Sequence, residues 1–298
     1  MPTVSVIIPT YNRAWALKEA IGSALAQDFR DFEIIVVDDG STDDTPKVLE
    51  SCQPICLVRQ SHQGVSAARN AGIERASGRL ITFLDSDDLW LPGKLSAQVA
   101  FFNTHPDALI CQTEEIWIRK GIRVNPKKRH KKYSGMIFEH GLELCIVSPS
   151  AVMMRRRLLD EVGGFDEMLP VCEDYDLWLR VACRFPIYLL EAPLVIKRGG
   201  HPDQLSRRSG MDRFRIHALK KILESGLLTS SQYRAAVRVL KKKCEIYAKG
   251  CLKRGRVKEA NHYMQLSHRF TSQAECLLQS KALLPEFPEY HKASVQTK

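Results

Sequence analysis

Three carboxylates close the apolar run Leu80-Ile81-Thr82-Phe83-Leu84 as Asp85-Ser86-Asp87-Asp88, and a second apolar run, Phe32 to Val37, ends in Asp38-Asp39-Gly40. A buried strand that stops in clustered acids is costly unless a cation or hydrogen-bond donors meet those acids where the strand ends. In open α/β sheets that end of the strand is where ligands sit. Two acidic strand ends can therefore converge on one crevice. Asp85 and Asp87, flanking one residue, can hold a hard divalent cation and leave coordination positions for phosphate oxygens. Glu173-Asp174 precedes the amphipathic stretch Tyr175 to Val181, which places two more carboxylates at a helix N-terminus.

The elements needed to position these acids are legible up to about residue 104. Strand-like runs (4–9, 32–38, 55–59, 80–85) alternate with amphipathic helical stretches (14–26, 43–52, 65–76, 92–103), the rhythm of βαβ units. The strands are continuous apolar runs, as expected when helices cover both faces of a mostly parallel sheet. Residues 105–148 are less regular and predict a hairpin or loop excursion, with 120–135 a mobile substrate-side or lid loop. Short strands at 150–154, 186–190 and 194–197 and short helices at 155–162 and 176–183 follow. From Met211 the pattern is purely helical (211–225, 230–254, 256–270), ending in a polar tail expected to be disordered.

Four segments in order, Val6 to Arg13, Val36 to Asp43, Phe83 to Asp88 and Glu173 to Trp178, together resemble the family 2 glycosyltransferases of the GT-A fold, over about residues 3–205. The resemblance implies an α/β, Rossmann-like catalytic domain over 1–210, with a nucleotide-binding half (1–104) and an acceptor half (105–210). The all-α extension of 211–298 falls outside it. It implies inverting transfer of a sugar from a nucleoside-diphosphate sugar, UDP by default, to an acceptor hydroxyl. That acceptor would be a saccharide, a lipid-linked intermediate or a protein, in cell-surface polysaccharide or glycoconjugate synthesis.

By the same resemblance, Pro9, Thr10 and Tyr11 flank the base, and Asp39 faces it with Asp38 as a second partner. Arg69 reaches the nucleotide or the acids. Asp85-Ser86-Asp87 resembles the DXD motif: Asp87 ligates Mn2+ or Mg2+, and Asp85 contacts ribose or donor sugar and the same cation. Glu173 lies on the donor side, and Asp174 is the general base. A free aspartate, with a pKa of about 3.9, is a poor base unless its surroundings shift it. His201, after Gly199-Gly200, joins the metal or contacts the diphosphate.

Plainer readings stand beside these. Asp38-Asp39-Gly40 is also a turn and helix cap, Glu173-Asp174 an N-cap, and Arg69 and His201 ordinary surface residues. Asp85-Ser86-Asp87-Asp88 also resembles the nucleophile motif of haloacid dehalogenase-like phosphatases, but Asp88 and Leu89 stand where that motif requires Thr or Val. A non-catalytic nucleotide-sugar-binding module with a partner-docking helical tail is the main alternative to an enzyme.

Across 298 residues the net charge is +10, concentrated at 127–132 and 241–258. That excess suits a phosphorylated substrate or an anionic membrane surface. No nucleic-acid-binding motif accompanies it. The C-terminal helices could also join copies of the chain into a homo-oligomer. Nine cysteines show no paired spacing and read as reduced thiols. No apolar run reaches the roughly 20 residues that span a bilayer, and the N-terminus lacks a signal peptide's pattern. The expectation is a cytoplasmic protein with peripheral membrane association as an option.

Overall fold

Val4–Thr10 (β1), Phe32–Asp38 (β2), Cys56–Arg59 (β3) and Leu80–Phe83 (β4) run parallel in the order β3-β2-β1-β4. Ala14–Leu25 (α1), Thr45–Glu50 (α2) and Val65–Arg75 (α3) are the crossovers. The computed structural model describes residues 1–201, 203–204 and 210–279. All seven residues of β1 are buried, which is why its sequence is apolar without alternation. Leu17, Ile21 and Ala24 of α1 pack with Val6, Ile8 and Val36 in the core.

Beyond β4 the sheet becomes mixed. It is extended by Leu89–Trp90 (β5), Ile110–Arg119 (β6), Ile122–Val124 (β7), Val152–Arg155 (β8) and Tyr188–Gly199 (β9). The path continues β4-β8-β6-β9-β5: β8 is antiparallel to β4 and β6, β9 parallel to β6, and β5 antiparallel to β9. Lys94–Thr104 (α4), Phe138–Gly141 (α5), Arg156–Val162 (α6) and Glu173–Ala182 (α7) complete this half.

The excursion expected over 105–148 does contain a hairpin, β6–β7, but β6 is also an interior strand. Its start, Ile110 to Thr113, is fully buried, with Gln112 donating to the Tyr133 carbonyl at 3.2 Å. Two polar residues buried inside the sheet, Gln112 and Thr113, concealed the strand. The two short strands expected at 186–190 and 194–197 are one strand, β9, whose pairing slips opposite Glu114, where Pro193 sits.

The segment expected to be a mobile lid is anchored at its end. Lys132 is buried and ion-paired with Glu115 at 3.0 Å, Tyr133 stacks on His140 at 3.9 Å, and Gly135 bridges to Ile187. A buried ammonium needs its carboxylate, and that requirement holds the strand-side end of the basic run in place.

Lys94 is the one buried lysine of α4, with Nζ 2.7 Å from Gln98 Oε1, 3.3 Å from Thr82 Oγ1 and 4.0 Å from the Trp90 ring centre. Burial pulls its pKa down to about 7. The unfolded chain then holds a proton that the folded chain lacks between about pH 7 and the ordinary value of 10.5, so stability rises with pH across that window. Lys94→Met is expected to stabilise the protein by about 1–3 kcal/mol at pH 7 and to flatten this dependence, as read by denaturant unfolding at pH 7 and pH 9.5.

The chain divides into two units, Met1–Ala218 and Leu219–Lys298. The division falls inside helix Met211–Glu224 (α8) rather than ahead of it. In the second unit Ser230–Leu252 (α9) and Val257–Gln279 (α10) form a hairpin, its first helix opened by a capping box between Thr229 and Gln232. Ala248, Cys251 and Ala260 let the two helices meet closely, beside Tyr247 and Tyr263. The tail expected to be disordered lies outside the described residues. All nine cysteines are free thiols.

Candidate active site

Parallel pairing sets Thr10 beside Asp38 and Ile7 beside Phe83, so the ends of β1, β2 and β4 share one rim. The chain leaving these ends and the N-terminus of α7 frame a cavity of about 680 Å³. Pro9, Thr10, Tyr11, Asp39, Arg69, Asp85, Ser86, Asp87, Glu173 and Asp174 all line it. Two of the expected residues do not. Asp38 accepts the Ser41 N–H at 3.0 Å and closes the turn after β2, and His201 lies behind the lining, in contact with Asp87 and Asp203, which do line it.

At one end, Asp39 organises the loop between β3 and α3. Its Oδ1 accepts from Gln60 Nε2 at 2.7 Å and the Gln63 N–H at 2.9 Å; its Oδ2 accepts the Gly64 N–H at 2.8 Å and lies 2.8 Å from His62 Nδ1. The His62 ring in turn stacks on Tyr11, centroids 3.9 Å apart. A flat aromatic pair beside backbone and carboxylate groups suits a planar base. Thr10 Oγ1 is buried at this end with no hydrogen-bond partner among the described residues. Its need for a partner points to a ligand. Sequence reasoning missed His62 and Gln63, which only the folded loop brings to Asp39.

At the other end, Arg69 is buried between two acids, Nη2 2.8 Å from Asp85 Oδ1 and Nη1 2.6 Å from Glu173 Oε1. Asp87 Oδ2 lies 2.8 Å from His201 Nε2, and His201 Nδ1 lies 2.7 Å from Asp203, which also pairs with Arg13. Burial, then the Asp85 charge, pushes the Asp87 carboxyl up, against Arg13 and His201. Asp88 is not a ligand but a brace: it accepts the Ser150 hydroxyl at 2.7 Å and the Arg198 N–H at 2.9 Å, fastening the end of β4 to β9.

Asp174 sits in the first turn of α7, entered through Cys172 at a φ of 65°. Its Oδ1 accepts the Tyr175 N–H at 2.7 Å, and its Oδ2 lies 3.4 Å from Cys145 Sγ. Burial, reinforced by the Asp174 charge, pushes the Cys145 thiol well above its ordinary range, so it keeps its proton. Lys197 was also missed. It is half-buried, donates to Ser148 Oγ at 2.9 Å and lines the cavity. Burial lowers its basicity, yet Glu115, Asp88, Asp85 and Asp174 together hold it above the ordinary lysine value. Arg13, Lys197 and Arg198 make the floor a mixture of fixed cations and acids.

Residues 5–163, more than half of the chain, match the model of the family described as glycosyl transferase family 2. The chain belongs to that family. Among curated relatives, it is 28% identical over 306 residues to the GalNAc(5)-diNAcBac-PP-undecaprenol beta-1,3-glucosyltransferase of Campylobacter jejuni, covering 95% of this chain and 89% of that one. An uncharacterized glycosyltransferase of Rickettsia prowazekii is 33% identical over 203 residues, covering 66% of this chain and 64% of its own. The chain thus spans less than two thirds of the first curated relatives it matches, 35% in the Rickettsia conorii case. Among solved structures, Staphylococcus aureus TarS 1–349 in complex with UDP-GlcNAc superposes with a TM-score of 0.65 at 19% identity, covering 93% of this chain and 92% of that one. That likeness establishes the GT-A-like α/β architecture of this family 2 glycosyltransferase.

Asp87 and His201 are in contact, one hard oxygen and one imidazole, whereas Asp85 is committed to Arg69. Among the described residues no group of three His, Cys, Asp or Glu side chains is gathered for a metal. The residues fit a cation held by the Asp87–His201 pair and completed by phosphate oxygens and water, the usual manner for Mg2+ and Mn2+.

Proposed function

We propose that this chain transfers a sugar from a nucleoside-diphosphate sugar, UDP-linked, to an acceptor hydroxyl with inversion, Asp174 acting as general base. The observation that carries the reading is the convergence of Asp39, Asp85, Asp87 and Asp174, from three separate stretches of chain, on one cavity. The Tyr11–His62 pair and Thr10 receive the nucleoside. Arg69 holds Asp85 and Glu173 in place on the donor side, and Lys197 and Arg13 offset the diphosphate's charge. Asp87 and His201 would hold Mn2+ or Mg2+, which would supply Lewis-acid neutralisation of the leaving diphosphate. Asp174 removes the acceptor proton, and its orientation is fixed by the Tyr175 N–H and the Cys145 thiol.

The names of relatives support a lipid-linked saccharide acceptor. Besides the Campylobacter enzyme, a UDP-Glc:alpha-D-GlcNAc-diphosphoundecaprenol beta-1,3-glucosyltransferase of Escherichia coli is 33% identical over 191 residues. Synthesis of a cell-surface glycan on the cytoplasmic side of a membrane follows as the setting. A panel of nucleotide sugars with and without Mn2+ tests the donor. The expected result is stabilisation of about 2–3 kcal/mol by a UDP-sugar with Mn2+ at a hundredfold excess over its dissociation constant, most of it lost when Mn2+ is withheld. Stabilisation by GDP-sugars alone overturns the choice of base. The binding-module alternative predicts the same stabilisation with no transfer or hydrolysis of any donor.

A further inference from the structure

The turn joining α9 to α10 exposes two aliphatic side chains where the hairpin ends: Leu252 is 52% and Val257 53% exposed. Lys249, Lys253, Arg254 and Lys258 surround them and are all exposed. The acid of this turn, Glu259, is already engaged by Tyr247 and Arg256. Arg254 caps the end of α9 through the Gly250 carbonyl at 2.8 Å, which fixes the turn without hiding its charge. The feature is therefore a rigid knuckle with an apolar tip and a cationic collar.

We propose that this knuckle docks on an anionic lipid surface. Leucine and valine gain by entering the boundary between head groups and acyl chains, while the flanking cations meet lipid phosphates. The aliphatic tip distinguishes this partner from nucleic acid, whose exposed bases are met by aromatic stacking. No helix among the described residues is long and apolar enough to cross a membrane, so the contact is with the surface. The knuckle lies in the unit Leu219–Lys298, outside the cavity-bearing unit, and its test is independent of the donor reading.

The full chain is sedimented with vesicles of phosphatidylcholine alone and with vesicles that also contain phosphatidylglycerol. It is expected to bind the second kind and to release as salt is raised. Triple reversal by Lys253→Glu, Arg254→Glu and Lys258→Glu should weaken binding about a hundredfold. The uncharged pair Leu252→Ser with Val257→Ser should weaken it about tenfold while keeping the charge. Circular dichroism of both variants should match the parent, since every altered side chain is exposed. Failure of the parent to bind anionic vesicles overturns the proposal, as does equal binding to phosphatidylcholine alone or indifference to both sets of substitutions. So does retention on RNA, abolished by the triple reversal, in a parent that ignores vesicles.

Discussion

Asp174→Asn is expected to lower sugar transfer by about a hundred- to ten-thousandfold, the range associated with a lost general base, while the thermal shift given by donor is retained. The substitution keeps the shape of the side chain. An asparagine carbonyl can still accept the Tyr175 N–H, and its amide can face Cys145 Sγ, so the turn at the start of α7 has no reason to move. What disappears is the capacity to take a proton. Cys145→Ala separates positioning from chemistry, because it removes the thiol beside Oδ2 and leaves the carboxylate. A smaller loss in kcat is expected there, with partial recovery in Cys145→Ser, whose hydroxyl can donate in the thiol's place. Turnover of Asp174→Asn within tenfold of the parent would move the base elsewhere. Rates are compared at saturating donor, so that a change in KM does not pass for a change in chemistry.

The parts legible in the sequence are those where one residue type has one physical use. Continuous apolar runs gave β1, β2 and β4, and the acidic ends of β2 and β4 gave the rim of the cavity, because burying carboxylates at a strand end demands a partner. The helices of the second unit were likewise readable from period and caps, α9 through the Thr229–Gln232 box. Long-range pairing was not readable. Gln112 and Thr113 look like loop residues until β8 and β9 bury them in the sheet. Asp39 was expected to face a ligand. The fold shows it first as the anchor of the loop that carries His62, a role visible only once the donors from Gln60 to Gly64 are brought around it. Lys197 escaped because a lysine within a strand of mixed polarity carries no local signal. Its significance comes from the four acids that β6, the loop after β4 and α7 deliver to it. Asp38 and Asp39 are adjacent and chemically identical, yet one closes a turn and the other lines the cavity. Asp38 is the last residue of β2 and Asp39 the first beyond it, and a single sequence does not reveal where the strand stops.

Arg69→Met is expected to cost the catalytic unit about 3–5 kcal/mol, the penalty associated with breaking a buried ion pair by removing one partner. Arg69 is 3% exposed and joins the end of β4 to the start of α7 through Asp85 and Glu173. Methionine fills much of the same space against Phe165, so the loss reports charge rather than a cavity. The sign of its pH dependence follows from Glu173. Burial, with the Asp174 charge, already raises its carboxyl above the ordinary value, and Arg69 is what opposes that rise. Without the guanidinium the folded state holds this proton more tightly still, so stability falls as pH rises through the window above 4.5. The deficit of Arg69→Met should therefore shrink between pH 8 and pH 5.5 in denaturant unfolding. Glu173→Gln placed on the Arg69→Met background removes the stranded charge and should recover part of the loss at pH 8, the coupling that a double-mutant cycle isolates. A deficit that is independent of pH and unrelieved by Glu173→Gln would mean that Arg69 acts through packing alone. The acids it spans would then need another account of how they tolerate burial at the mouth of the sheet.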